Sequence, residues 1–160
     1  MSDDFDRNLI KGKIAEQIFE RMFRTEDWEV FRYGYEFTES FISQHQHEVS
    51  FPPALDTIRS TPDFIITKNE ENKVERKRDV FVVEVKYRSQ LLPEKTLETA
   101  QEYAEKWKYT HLFIATPTGF YFGSVGDIIA SKGNIEPLKH GWVSAAHQEN
   151  YLKILNEFIN

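Results

Sequence analysis

The sequence predicts an α/β fold, a mixed central β-sheet flanked by helices in the order αβββαββα. Apolar residues recur at helical spacing near both ends and in the middle of the chain. Short runs of β-branched and aromatic residues lie between those stretches, and alternation of this kind favours helices packed on a sheet. The 160 residues contain no internal repeat and no linker rich in Pro, Gly or Ser. We therefore expect one domain, residues 1–160.

The first helix is predicted over about residues 7–24. On a helical wheel its isoleucines and phenylalanines, Ile10 among them, cover a wide apolar arc that should face the sheet. Glu16 falls at the border of that arc, beside Gly12.

Five strands are predicted over residues 28–37, 64–67, 80–87, 111–116 and 120–125. A second long helix is expected over 93–107, with Pro93 at its entry, and a short helix is expected after Asp127. The last helix starts at about Ser144. Its side chains expected to point inward are Leu152, Leu155, Phe158 and Ile159.

Composition narrows the class of protein. There is no Cys, which excludes disulfides, thiolate zinc sites and cysteine nucleophiles. No apolar run is long enough to span a bilayer and Met1-Ser2-Asp3-Asp4 lacks the features of a signal peptide, so a cytoplasmic protein is the expectation. The formal net charge of −6 means that any nucleic-acid contact needs a local basic patch.

Pro62-Asp63 and Glu84-Val85-Lys86 are the informative segments. If strands 64–67 and 80–87 form an antiparallel hairpin with its midpoint near Lys73 and Val74, Asp63 lies directly opposite Glu84. Opposed residues point to the same face, and Lys86, two residues beyond Glu84, shares that face. Two carboxylates and one ammonium therefore converge on one spot.

Two opposed carboxylates repel each other unless a cation lies between them. Mg²⁺ prefers oxygen ligands and is held in proteins by one or two carboxylates together with water and substrate phosphate. Such an ion activates water and stabilises charge on phosphoryl oxygens, while a neighbouring lysine orients the water or neutralises developing charge. Asp63 and Glu84 are thus candidate metal ligands, and Lys86 is a candidate catalytic residue.

Pro-Asp, a gap of some twenty residues, then Glu-Val-Lys on an apolar strand resembles the PD-(D/E)XK nuclease superfamily, which includes restriction endonucleases and Holliday-junction resolvases. The resemblance covers about residues 7–116 and implies a restriction-endonuclease-like core. It implies that Asp63 and Glu84 bind Mg²⁺ or Mn²⁺, that Lys86 is catalytic and that the Val85 carbonyl faces the metal. Gly12-Lys13-Ile14-Ala15-Glu16 looks like the Gly-x-x-x-Glu pattern of many members, which makes Glu16 a further catalytic and metal-binding candidate.

Three more residues are candidates for substrate contact. Tyr87 and Arg88 follow the catalytic strand directly, and Gln101 projects near the inner stripe of the next helix. Exonuclease branches of the superfamily often carry Gln-x-x-x-Tyr on that helix, but here Gln101 is followed four residues later by Glu105. The alternative for Gln101 is the polar flank of an amphipathic helix.

Two hypotheses from different classes follow. The first is a Mg²⁺- or Mn²⁺-dependent endonuclease or deoxyribonuclease, with DNA rather than RNA as its partner. The alternative is a catalytically inactive module of the same fold that binds DNA or a protein. A homodimer formed through an apolar seam on the last helix is a further expectation, because many nucleases of this class cut duplexes as dimers.

Overall fold

The computed structural model of the chain describes residues 2–32, 61–68 and 79–159. The helices are α1 (Ser2–Thr25), α2 (Pro93–Lys106), α3 (Val125–Ala130) and α4 (Ala145–Ile159). The strands are β1 (Trp28–Arg32), β2 (Phe64–Lys68), β3 (Val80–Tyr87), β4 (Thr110–Thr116) and β5 (Gly119–Ser124). The predicted order of elements and the α/β class are confirmed for these residues. Residues 33–37 of the first predicted strand and residues 73 and 74 at the expected hairpin midpoint lie outside the described ranges.

The five strands form one mixed sheet in the order β1-β2-β3-β4-β5. Neighbouring strands are antiparallel except β3 and β4, which are parallel. A parallel pair needs a crossover connection, and α2 lies in the segment that joins these two strands. The β2–β3 register pairs Phe64 with Val83 and Ile65 with Val82, as the predicted midpoint requires.

Each face of the sheet carries a core. One core joins α1 and α4 to the apolar side chains of all five strands, and its centre is aromatic. Phe19 on α1 is fully buried, with its ring centroid 5.0 Å from those of both Phe64 and Phe113. The second core lies between the sheet and helices α2 and α3, around Ala100, Leu112 and Ile128.

Alternation along β3 decides which residues reach which face. Val83 and Val85 belong to the core under α1, whereas Glu84 between them pairs with Leu112 of the second core. Because α1 crosses near the end of β3, the helix brings its own polar border to the same sheet edge. Packing of Phe19 therefore also fixes where Glu16, three residues earlier, is placed.

Two expectations about helix faces are wrong. Ile10, expected on the apolar arc, is 57% exposed, because it lines an open groove between α1 and α4. Phe158, expected to point inward, is 68% exposed, because it lines an open groove between α1 and α4. In the described part of the chain no helix has the length and apolar character needed to cross a membrane.

Candidate active site

The hairpin of β2 and β3 determines where the central carboxylates lie. Continuing its register by one pair beyond Phe64 and Val83 sets Asp63 opposite Glu84. The backbone N–H of Val85 donates a hydrogen bond to Asp63 Oδ2 at 2.9 Å, which holds the aspartate against β3. The two acidic groups thus share one short stretch of sheet edge.

Glu84 is 5% exposed, although it carries a carboxylate. Lys86 Nζ lies 3.7 Å from Glu84 Oε1, so one oxygen has a cationic neighbour. The other oxygen, Oε2, is buried and has no hydrogen-bond partner among the described residues. A buried carboxylate oxygen that accepts no hydrogen bond destabilises the ionised form of the group. Glu84 Oε2 is therefore expected to bind a proton or a cation.

The surroundings of Glu84 raise its pKa well above the usual value. Burial penalises the charged form most, and the charge of Asp63 adds to the rise. The charge of Lys86 and a hydrogen bond with Tyr103 oppose it. Without a bound cation, the site therefore favours a proton on Glu84.

Tyr103 on α2 is a site residue that the sequence analysis missed. Its hydroxyl is near enough to Glu84 for each group to shift the pKa of the other, and Lys86 Nζ lies 5.9 Å from its ring centroid. Burial and the neighbouring Glu84 charge raise the pKa of Tyr103 strongly, so the hydroxyl stays protonated and can donate. Thr96, Ala100 and Tyr103 follow the spacing of a helix face, a signal that could have identified the tyrosine.

Gln101 lies elsewhere on α2. It is exposed and does not line the cleft around Glu84. The polar-flank alternative describes its position, since Ala100 beside it is fully buried and faces the sheet. The helix directs Tyr103, two residues later, to the carboxylates.

An open cleft of about 530 Å³ surrounds the carboxylates. Helix α1 forms one wall and the end of β3 the other. The wall residues include all the remaining candidates from the sequence, namely Glu16, Asp63, Glu84, Val85, Lys86, Tyr87 and Arg88. Glu16 is 7% exposed, which places its side chain in the interior rather than in solvent.

The charged side chains of the cleft are mixed, with four cations and three carboxylates. Besides Lys86 and Arg88, the cations are Lys11 and Lys13 of α1. This is a local basic balance in a chain whose formal net charge is −6. The cleft thus has one more cation than carboxylates, whereas the chain as a whole is acidic.

Tyr87 and Arg88 are held in place at the mouth of the cleft. Lys11 Nζ lies 5.6 Å from the Tyr87 ring centroid, a cation–π arrangement between the two walls. Arg88 donates from Nη1 to the carbonyl of Tyr87 at 3.0 Å, and its backbone N–H donates to Ala115 at 2.9 Å. Burial raises the pKa of Tyr87, so it too remains a neutral phenol.

The fit of a divalent ion depends on two carboxylates rather than three. In residues 2–32, 61–68 and 79–159, no three His, Cys, Asp or Glu side chains are grouped so as to hold one metal ion. Glu16 therefore shares the cleft with Asp63 and Glu84 without forming a three-carboxylate cluster. Mg²⁺ takes one or two protein carboxylates and completes its shell with water and phosphate, so the pair of Asp63 and Glu84 meets its requirement.

No protein-family model matches the chain, and a search of curated proteins finds none that matches it. The likeness to PD-(D/E)XK nucleases therefore depends on the motif residues and their placement alone.

Proposed function

We propose that this protein is a metal-dependent nuclease that hydrolyses DNA phosphodiester bonds, with Asp63, Glu84 and Lys86 at its centre. The observation that carries the proposal is the buried Glu84 carboxylate, set beside Asp63 and Lys86 and left with one oxygen unpartnered among the described residues. A purely structural ion pair has no need of a second carboxylate next to the first. A site for a divalent cation does.

Asp63 and Glu84 are the residues that would hold Mg²⁺ or Mn²⁺, with the carbonyl of Val85 as a main-chain candidate. When bound, the ion supplies Lewis acidity toward a phosphoryl oxygen and lowers the pKa of a water molecule. Its charge also removes the reason for Glu84 to keep a proton, because burial without a cation is what disfavours the carboxylate.

Lys86 supplies a fixed positive charge beside the carboxylates. Its ammonium is held between Glu84 Oε1 and the ring of Tyr103, which restricts its position at the cleft. From there it can orient the attacking water or neutralise charge that develops on the phosphoryl oxygens. This role requires the lysine for rate more than for metal affinity.

Lys11, Lys13 and Arg88 provide the contacts expected for a phosphate backbone. They lie on both walls of the cleft, so a strand entering it meets cations on either side. Contacts of this kind bind nucleic acid without reading its sequence. The expected substrate is therefore a nucleic-acid strand bound through its backbone, and the resemblance to PD-(D/E)XK nucleases makes it DNA.

The test is a panel of linear, circular, single-stranded and four-way-junction DNA with Mg²⁺ or Mn²⁺. Wild type should cleave at least one substrate, and Asp63→Ala should abolish cleavage and weaken Mn²⁺ binding measured by calorimetry. Lys86→Ala should bind Mn²⁺ but remain inactive. Lys153→Ala, a similarly drastic change at an exposed lysine of α4, should keep wild-type activity. Cleavage that survives in both Asp63→Ala and Lys86→Ala contradicts the proposal.

The second candidate is a non-catalytic module that binds DNA or a protein. The acidic net charge and the lack of a three-carboxylate group in the described part of the chain favour it. The same panel separates the two functions. DNA binding without cleavage in either metal, unchanged by Lys86→Ala, identifies the module.

A further inference from the structure

The N-terminal part of α1 is exposed in the described structure. Residues 3–10 of the helix are all exposed, Ile10 among them. A helix end that buries little apolar surface is marginal in water, because most helical stability in proteins comes from packing an apolar face. We therefore expect this segment to be stabilised by packing against another surface.

The exposed segment continues into an apolar groove of about 530 Å³ between α1 and α4. Ile10, Ile14 and Ile18 of α1 form one side, and Ile154 and Phe158 of α4 form the other. The basic side chains of Lys13 and Arg21 also line the groove. A contiguous apolar groove of this kind on a folded protein marks an interaction surface.

The pattern of charge along α1 indicates which partner binds the groove. Asp3 and Arg21 are 18 residues apart, which is five turns of an α-helix, so both project from the same face. Ile10 and Ile14 lie on that face between them, within about 20° on either side. The face thus has Asp3 at one end, isoleucines in the middle and Arg21 at the other, with Arg7 about 40° to the side of Asp3.

Such a face complements a second copy of itself. In an antiparallel pairing that sets Ile10 against Ile14 of the second copy, Asp3 meets Arg21 of the second copy. The two-fold operation repeats both contacts, which is the geometry of an isologous interface. A helix of 24 residues is about 36 Å long, so the seam is long enough to include the groove.

We propose that α1 and the α1–α4 groove form a homodimer interface, with the α1 helices antiparallel. The interface does not depend on the proposed nuclease activity. Leu9 and Lys13 line both the groove and the candidate active-site cleft, so the dimer places each cleft beside the α1 helix of the other copy.

The test measures molar mass by light scattering and sedimentation across a wide range of protein concentration. Wild type should form a dimer, and Ile10→Glu should reduce it to a monomer with unchanged helical circular dichroism. Tyr109→Glu is the matched control, because Tyr109 is 81% exposed away from the groove and its replacement should leave the dimer intact. A wild type that is monomeric throughout, or a dimer insensitive to Ile10→Glu, overturns the proposal.

A charge exchange tests the pairing itself. Asp3→Lys and Arg21→Glu should each weaken dimerisation by roughly tenfold, because each single change places like charges together at two symmetric positions. The double variant Asp3→Lys/Arg21→Glu should recover most of the loss. Glu98→Lys on α2 is the control and should have no effect. Single variants that dimerise like wild type, or a double variant weaker than both, contradict the antiparallel arrangement.

Discussion

The N–H of Val85 donates to the carboxylate of Asp63 at 2.9 Å, across the gap between β2 and β3. This bond ties the first residue after Pro62 to the backbone directly after Glu84. The aspartate therefore cannot turn away from β3 without leaving a strand N–H unpaired. The hairpin therefore fixes the proximity of Asp63 and Glu84 through a hydrogen bond from the main chain of β3.

Tyr103→Phe should impair the candidate site without unfolding the protein. The hydrogen bond of the hydroxyl lowers the pKa of Glu84, so its loss should raise that pKa further, while the ring stays beside Lys86. We expect the acidic limb of the pH–rate profile to move to higher pH and kcat at neutral pH to fall by up to about tenfold, the value of one hydrogen bond. Tyr109→Phe, at an exposed position, should leave the profile unchanged. Superimposed profiles for Tyr103→Phe and wild type would remove the tyrosine from the site.

Glu84→Gln should make the metal-free protein more stable at neutral pH. The pKa of Glu84 is raised in the folded state, so between pH 4.5 and that raised value the native state holds a proton that the unfolded state has lost. Stability of the wild type should therefore fall as pH rises through this window, and Glu84→Gln should remove that fall. Urea unfolding at pH 4 and pH 7 measures it. A wild type that gains stability relative to Glu84→Gln on going from pH 4 to pH 7, without metal, contradicts the argument.

Mn²⁺ should restore the stability that the wild type loses as pH rises above 4.5. An ion that binds only the folded protein stabilises it by about 2.7 kcal/mol at a concentration one hundred times its Kd. We expect a rise in Tm with Mn²⁺ for wild type and for Lys86→Ala, and little or none for Asp63→Ala or Glu84→Gln. Equal rises in all four proteins would place the ion elsewhere.

The central pair of the site could be predicted from sequence because a hairpin has a simple geometry. Two strands of known direction and one midpoint determine every opposed pair, so placing Asp63 against Glu84 needed only the apolar runs that flank them. Lys86 followed from the two-residue period of a strand. Glu16 followed from its position on a helical wheel, at the border of the buried arc.

What the sequence did not predict depends on contacts between elements distant in the chain. Tyr103 comes near Glu84 because α2 packs on the sheet against β4, and a helical wheel does not give the angle of that packing. Phe158 has the right spacing for a buried position, but α1 and α4 leave a groove there. Periodicity identifies which face of a helix is apolar, and the neighbouring helix decides whether that face is covered.

Gly133→Ala should be strongly destabilising. Gly133 has φ of +96°, and an added Cβ would lie 2.0 Å from the carbonyl oxygen of Pro93 at the start of α2. Backbone strain and the clash together should cost about 2–4 kcal/mol in the free energy of unfolding, measured with urea. Gly126→Ala, in α3 with nothing within 4 Å of the added atom, should be neutral or stabilising by up to about 1 kcal/mol. Similar stability of the two variants would show that this turn can shift away from α2.

Glu26 should protect the protein against acid by holding the start of α4. Its Oε1 accepts a hydrogen bond from the N–H of Ser144 at 2.7 Å and lies 2.6 Å from His147 Nδ1. These contacts, with the Ser144 backbone first, lower the pKa of Glu26 to about 2. The group therefore stabilises the fold above pH 4.5, the ordinary value, and the stabilisation disappears as pH falls toward 2.

Glu26→Gln should remove a charged partner from the N-terminus of α4 and cost about 1 kcal/mol at neutral pH. The difference from wild type should shrink as pH drops below 4.5, because the carboxyl of the unfolded wild type is then protonated and folding must release that proton. Glu157→Gln, at an exposed position near the other end of α4, is the matched control and should leave both stability and its pH dependence unchanged. Urea unfolding from pH 7 down to pH 3 checks the prediction. A difference between Glu26→Gln and wild type that stays constant over this range would mean that the contact stabilises by shape and not by charge.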